Sequence, residues 1–400
     1  MRNINLLKLF LISIFIIGIN GDILDYLKGW KESFGSIGKN VKVLFSPNLY
    51  TAYSYKLESM SNIVHNSEFD QNLPTVVYIH GYLDDGEFEE STMAVRSAYR
   101  KKNKQNFIAI DWSAFSYFTS DIPYLGNIKK LKLICEGIAV QLELIRTQGC
   151  SCYKNFYLVG HSLGSQCTGL VGRHLRKISN ENFIISRIYA LDPARPDFEK
   201  RIPFVFSKRF DGISRNDADY VQVIHTNGNR YGVKSAVGHA DFYPNGGMSQ
   251  PGCNDDSCSH QYAWMFFQQS IREEGAFLAR KCDSYDNFQN GNCDSNEVSY
   301  MGYSSNGTSP MGTYFLRTHP SKFGSALGEE GLKRTNSYLI FENGTKTSDT
   351  MGYGLRHLKP NKINLDDRNS TNEISLDRFN EMLRNQQIRD NHYQDENSSE

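Results

Sequence analysis

Ser162 stands between two glycines in Gly160-His161-Ser162-Leu163-Gly164, behind the strand-like FYLV and ahead of a helix-like stretch from Ser165 to Lys177. A tight strand-to-helix turn lifts such a hydroxyl above a sheet edge, and only small flanking residues avoid a clash there. The amide after the serine opens a helix, where N–H groups lack backbone acceptors and can meet a developing oxyanion. The chemistry that suits this arrangement is acyl transfer. A serine hydroxyl needs a base, and the base needs an orienting acid. On such a turn the chain order is serine, acid, histidine. Asp192 stands just past the run IISRIYAL, where Pro193 stops further pairing, although an Asp-Pro is also an ordinary turn former. Three histidines compete for the base. His225 ends the run YVQVIHT, and His239 follows a loop. His260 reads as a loop residue between Cys258 and the helix-like QYAWMFFQQSI.

These residues need a frame. Apolar runs rich in β-branched and aromatic residues recur at VKVLFS, TVVYIHG, FIAIDW, FYLVG, IISRIYALD and YVQVIHT. Helix-like stretches lie between several of them; Ile128, Leu131, Ile134, Ile138, Leu142 and Ile145 recur at helical spacing and share one face. Strands alternating with helices predict an α/β fold with a largely parallel sheet covered on both sides. From Cys282 to about Phe323 the pattern changes to short runs separated by Gly, Ser and Asn, which read as antiparallel strands finishing the same domain. Beyond Gly324 the chain is rich in Asn, Asp, Glu, Lys and Ser and cannot bury much surface. The expected division is therefore a leader over 1–21, a catalytic domain over 22–324 and a polar, disordered tail over 325–400. Within that tail, EISLDRFNEMLRNQQI suits one weak amphipathic helix.

The leader reads as an export signal. Arg2 and Lys8 flank a polar start, LFLISIFIIGI from Leu9 to Ile19 is uncharged, and Gly18 or Gly21 precedes a cleavage site. Eight cysteines fit an oxidising compartment. The spacing of Cys253 with Cys258, and of Cys282 with Cys293, predicts two local staples. Cys135, Cys150, Cys152 and Cys167 cannot be paired from the sequence. Sequons at Asn306, Asn343, Asn369 and Asn397 agree with secretion. Lys plus Arg and Asp plus Glu are equal at 44 each, with no long block of either sign, which argues against a nucleic-acid partner.

The stretches VVYIHGY, IAIDWS, LVGHSLG, ALDPARPDF, DADYVQVIHT, GHADFYPNGGMSQPGC, CSH, CDSYDNFQNGNC and MGY resemble, in this order, the secreted pancreatic-lipase family, most closely its insect-type and phospholipase A1-like branch. The resemblance covers roughly Val41 to Phe323. It implies an α/β-hydrolase fold and a Ser162–Asp192–His260 triad in a secreted ester hydrolase. It also implies an oxyanion hole from the Tyr82 and Leu163 amides, with no cofactor. Digestive members carry a long disulfide-closed lid before the histidine; here CNDDSC leaves four residues. The loop from His225 to His239 is short as well. Both features favour phospholipid, cleaved at sn-1, over triglyceride or galactolipid, at a site open to water. The acidic calcium pattern of the family is only partly present: Asp217 fits one ligand, but Ser214 stands near another, so no bound metal is expected. The tail is too short for the second domain of the digestive enzymes, so no colipase-type partner is expected. Phe88, Phe242, Tyr243 and Met248 are placed on loops near the cleft, for peripheral contact with a lipid surface. The rival reading is a non-catalytic yolk or eggshell-type lipid-binding protein.

Overall fold

The chain forms strands of two kinds: those at the sheet centre are buried along nearly their whole length, as strands covered on both faces must be, and those toward the edges are partly exposed. They are β1 (Lys42–Ser46), β2 (Tyr53–Lys56), β3 (Thr75–Ile79), β4 (Asn106–Asp111), β5 (Phe156–His161), β6 (Arg187–Leu191), β7 (Tyr220–Ile224), β8 (Ala240–Pro244), β9 (Leu278–Lys281), β10 (Val298–Tyr300) and β11 (Gly312–Leu316). The computed structural model describes residues 37–48, 51–82, 90–102, 105–116, 124–199, 210–303, 309–319 and 327–332. The expected leader, Phe88, all four sequon asparagines and the chain beyond 332 lie outside these residues.

One eleven-stranded sheet results, in the order β10-β9-β11-β8-β7-β6-β5-β3-β4-β1-β2. Its centre, from β4 through β3, β5, β6 and β7 to β8, is parallel. The edges depart from this. β1 runs antiparallel to β2 and β4, and β9 runs antiparallel to β10 and β11. β11 nevertheless lies parallel to β8, so the closing segment is mixed rather than wholly antiparallel.

The α-helices that frame the sheet are α1 (Glu90–Lys102), α2 (Tyr124–Thr147), α3 (Leu163–Ile178), α4 (Asp256–Arg272) and the short α5 (Tyr285–Asn290). Alternation along the strands sorts the two faces. Val77, Ile79, Ile108 and Ile110 join a core with Ile134 and Ile138 of α2 and Val171 and Leu175 of α3. Val76, Tyr78, Phe107 and Ala109 join a second core with Val95 and Tyr99 of α1 and Phe266 and Phe267 of α4. This is the α/β-hydrolase fold.

All eight cysteines are paired. Cys135–Cys167 ties α2 to α3, Cys150 joins Cys152, and the two staples expected from spacing, Cys253–Cys258 and Cys282–Cys293, are formed. Packed chain continues past the expected boundary at 324. In the turn Gly328–Leu332, the Gly331 carbonyl accepts from the Arg317 amide at 3.0 Å, and Leu332 packs near Phe288 and Phe315. Phe242 and Tyr243 are core residues of β8, not loop residues. Phe242 stacks on Tyr314 and Tyr243 on Phe315, which removes both from any lipid-facing surface; Met248 is half-buried.

Candidate active site

Ser162 caps α3 with φ 54° and ψ −120°, a conformation that costs a non-glycine residue of order 1–3 kcal/mol and must be held by its surroundings. The glycines explain how the turn fits. A Cβ on Gly164 would lie 2.1 Å from the Ile79 carbonyl oxygen, and one on Gly160 would lie 2.4 Å from the Gly164 carbonyl. The Ser162 amide donates to Leu191 O at 3.0 Å, and its carbonyl accepts from the Ala194 amide at 3.2 Å. The serine is thereby tied to the end of β6, where Asp192 emerges.

Asp192 also has positive φ, at 43°. Its Oδ1 accepts from the Thr226 amide at 2.8 Å and the Asn227 amide at 3.1 Å, while its Oδ2 meets His260 Nδ1 at 2.5 Å. Gly232 lies against the carboxylate so closely that a Cβ there would fall 2.3 Å from Oδ1. His260 is not on a loop, as the sequence suggested. It lies in the second turn of α4, which starts early because Asp255 caps it, accepting from the Cys258 amide at 2.7 Å. The His260 carbonyl is held by His161 Nε2 at 3.2 Å, and the two imidazoles lie 4.7 Å apart. Asn227 connects acid and base elements, because its side chain donates to Asp256 Oδ1 at 2.9 Å.

The other two histidines are occupied elsewhere. His239 Nδ1 accepts from the Val221 amide at 3.0 Å; burial, then Arg215, pushes this ring below its usual value, which suits an acceptor. His225 bonds Asp241 at 2.9 Å through Nε2.

Leu163 opens α3, so its amide has no partner within the helix. The Tyr82 amide is oriented by a device the sequence reading missed. His80 Nε2 accepts from the Trp112 amide at 3.1 Å, which puts the proton on Nδ1, and Nδ1 donates to Gly81 O at 2.9 Å. Pinning the Gly81 carbonyl turns the Tyr82 N–H of the same trans peptide the opposite way. The Trp112 indole closes the clamp, donating to His80 O at 3.0 Å. Gln166 was also missed as a positioning residue. It donates to Ala194 O at 2.6 Å and accepts from the Ile213 amide at 2.8 Å, bracing the turn after Asp192.

Ser162 keeps 9% of its surface exposed and His260 7%, so both side chains are largely buried within the fold. A cavity of about 680 Å³ lies elsewhere, lined by residues such as Lys281, Asp283, Asn287 and Glu297. Cys282, Asp283 and Cys293 cluster there, but a disulfide occupies both thiols. At the partial calcium pattern, Asp217 faces a cation already. Arg173 Nη1 donates to both its oxygens at 2.9 Å, and the Ser214 amide donates at 2.7 Å. Burial pushes the Asp217 carboxyl up to about 6, with Arg173 and Ser214 opposing. One such carboxyl beside a guanidinium does not fit the several oxygen ligands of a hard cation.

The sequence pattern that defines the Lipase family matches residues 31–323. The chain belongs to the Lipase family. Pancreatic lipase-related protein 2 of Cavia porcellus is 31% identical over 249 residues, which span 60% of this chain and 54% of that protein. Lipoprotein lipase of Sus scrofa is 29% identical over 278 residues, spanning 62% and 55%. Lipase member H of Danio rerio is 28% identical over 275, spanning 66% and 56%. This Lipase-family chain thus spans about half the length of the relatives it matches.

Proposed function

We propose that the protein is an exported carboxylic-ester hydrolase for acyl lipids, cleaving phospholipids at sn-1. The observation that carries the reading is the Asp192 carboxylate, divided between two backbone amides on one oxygen and the His260 imidazole on the other, beside a serine on a strained turn. Held through Nδ1, His260 uses Nε2 to take the Ser162 proton as Oγ attacks the ester carbonyl. The Tyr82 and Leu163 amides receive the oxyanion. His260 returns the proton to the departing alcohol, here a lysophospholipid. A water deprotonated by the same imidazole then attacks the acyl carbonyl, and the imidazolium returns that proton to Ser162 Oγ as the fatty acid leaves. Asp192 holds the imidazole through Nδ1 and balances the imidazolium that forms. Every step uses groups of this chain.

The preference for phospholipid rests on loop lengths. Four residues separate Cys253 from Cys258, too few for an apolar cover. The segment after β7 is taken up in wrapping Asp192: Gly232 N bonds Asn227 O at 3.0 Å, and Gly228 N bonds Gly247 O at 2.8 Å. Export is supported by the apolar leader and by the pairing of every cysteine. The deciding experiment sets phosphatidylcholine carrying distinct sn-1 and sn-2 acyl chains beside a triglyceride, with Ser162→Ala as control. The sn-1 acid should appear from wild type and not from the variant. Equal release by both would remove Ser162 from the reaction, and faster triglyceride cleavage would overturn the headgroup preference.

A further inference from the structure

His225 carries hydrogen bonds that an ordinary neutral imidazole cannot make. It is wholly buried at the end of β7. Its Nδ1 lies 2.8 Å from Val233 O, and a carbonyl only accepts, so Nδ1 must bear a proton. Its Nε2 lies 2.9 Å from Asp241 Oδ1. Asp241 is itself surrounded by donors: Oδ1 accepts from the Val237 amide at 2.9 Å, and Oδ2 from the Gly238 amide at 3.1 Å. Amides engage both oxygens as acceptors, and a carboxylate again only accepts. Both ring nitrogens must then donate.

We propose that His225 is a buried imidazolium which, paired with Asp241, positions the catalytic acid. The next two residues, Thr226 and Asn227, supply both amides on Asp192 Oδ1. Val233, held by Nδ1, follows Gly232, the residue pressed against the same oxygen. One ring therefore fixes two of the backbone segments that wrap Asp192. It acts through them and touches neither substrate nor reacting atoms.

The charged and titratable neighbours agree. Asp241 faces the ring from β8, and Asp192 acts on it from beyond β6. Tyr243 stacks flat on it at 4.3 Å; burial first, then Asp241 and Glu199, holds that phenol protonated and uncharged. Burial alone would push His225 down, but the Asp241 bond and charge, the Val233 carbonyl and Asp192 outweigh it and raise its pKa. The ring's contribution to stability is accordingly complete below its ordinary 6.5 and fades as pH rises through the higher folded value.

The role in turnover rests on the hydrolase reading above; the charge state does not. With nitrogen-15-labelled histidine in the full chain, one buried imidazole should show two protonated nitrogens at pH 7.5 and lose that signature in Asp241→Asn. An unprotonated Nε2 in wild type would overturn the proposal without any reference to activity. In Asp241→Asn the bond and charge that chiefly oppose burial are gone, leaving Asp192 and the Val233 carbonyl against it, and the ring discharges. Loosening of a distant support of this kind costs on the order of tenfold to a hundredfold in kcat. KM for phosphatidylcholine should change little, and the alkaline limb of the kcat profile should move to lower pH. Wild-type kcat and an unmoved limb in the variant, with wild type active, would also overturn it. Inactive wild-type protein that still shows the doubly protonated ring would instead refute the hydrolase reading.

Discussion

Asp192 is held through both oxygens, and the two holds do different work. Asp192→Asn keeps an acceptor for the Thr226 and Asn227 amides but puts an amide where His260 needs a carboxylate. In a serine-protease triad the same exchange lowers kcat about 10⁴-fold, and a loss of that order is expected here, with lipid binding unchanged. Single-turnover measurements on phosphatidylcholine would check it; a loss under tenfold would take Asp192 out of the reaction. His80 works at the other end of the site, with its effect passing through the Gly81 carbonyl. His80→Ala should free that peptide and lower kcat by about 10²–10³, the usual effect of losing one oxyanion donor, with KM nearly constant. A rise in KM at constant kcat would show that His80 serves binding instead.

The elements that carry these residues were legible where continuous apolar runs cross a doubly covered sheet, as in β3, β4, β5 and β7. β8 was not, because ADFYP places an aspartate inside a short strand; that polarity belongs to the Asp241–His225 pair, which no local pattern reveals. The serine, acid and base were legible through chain order and resemblance. Their supports were not: Asn227 to Asp256, Gln166 to Ala194 and Trp112 to His80 all bridge distant parts of the chain. The early start of α4 was signalled by Asp255, a good N-cap followed by a helical run, yet the adjacent staple made the segment look like a loop. At the α3 corner, Asp217 binds a proton more tightly in the fold than its ordinary 3.8, so this group's share of stability falls as pH climbs from about 4 to about 6. Melting curves of Asp217→Asn should lack that slope; parallel curves for both proteins would show that the carboxyl is ionised throughout. Because Arg173 fills the role of cation there, a calcium chelator should leave hydrolysis unchanged. A full loss restored by calcium would reverse that assignment. Gly232→Ala should destabilise by about 1–3 kcal/mol and reduce turnover as well, since the added carbon displaces Asp192. Equal loss of stability with full activity would show that the loop yields and the acid does not.

Across the described domain, stability and reactivity draw on different sulfurs. Cys135–Cys167 links two helices on one face of the sheet across a separation of 32 residues; removing it should cost ~3–4 kcal/mol and lower the melting temperature on the order of 10 °C. Calorimetry of the Cys135→Ala/Cys167→Ala variant would test this, and an unchanged melt would mean that packing alone holds α2 to α3. Cys253–Cys258 closes a far smaller ring and constrains the unfolded chain less, yet it ends two residues before His260. A weak reductant should therefore silence the protein while leaving its circular dichroism intact. Newly made chain would then stay harmless to the lipids of its own cell until that ring closed.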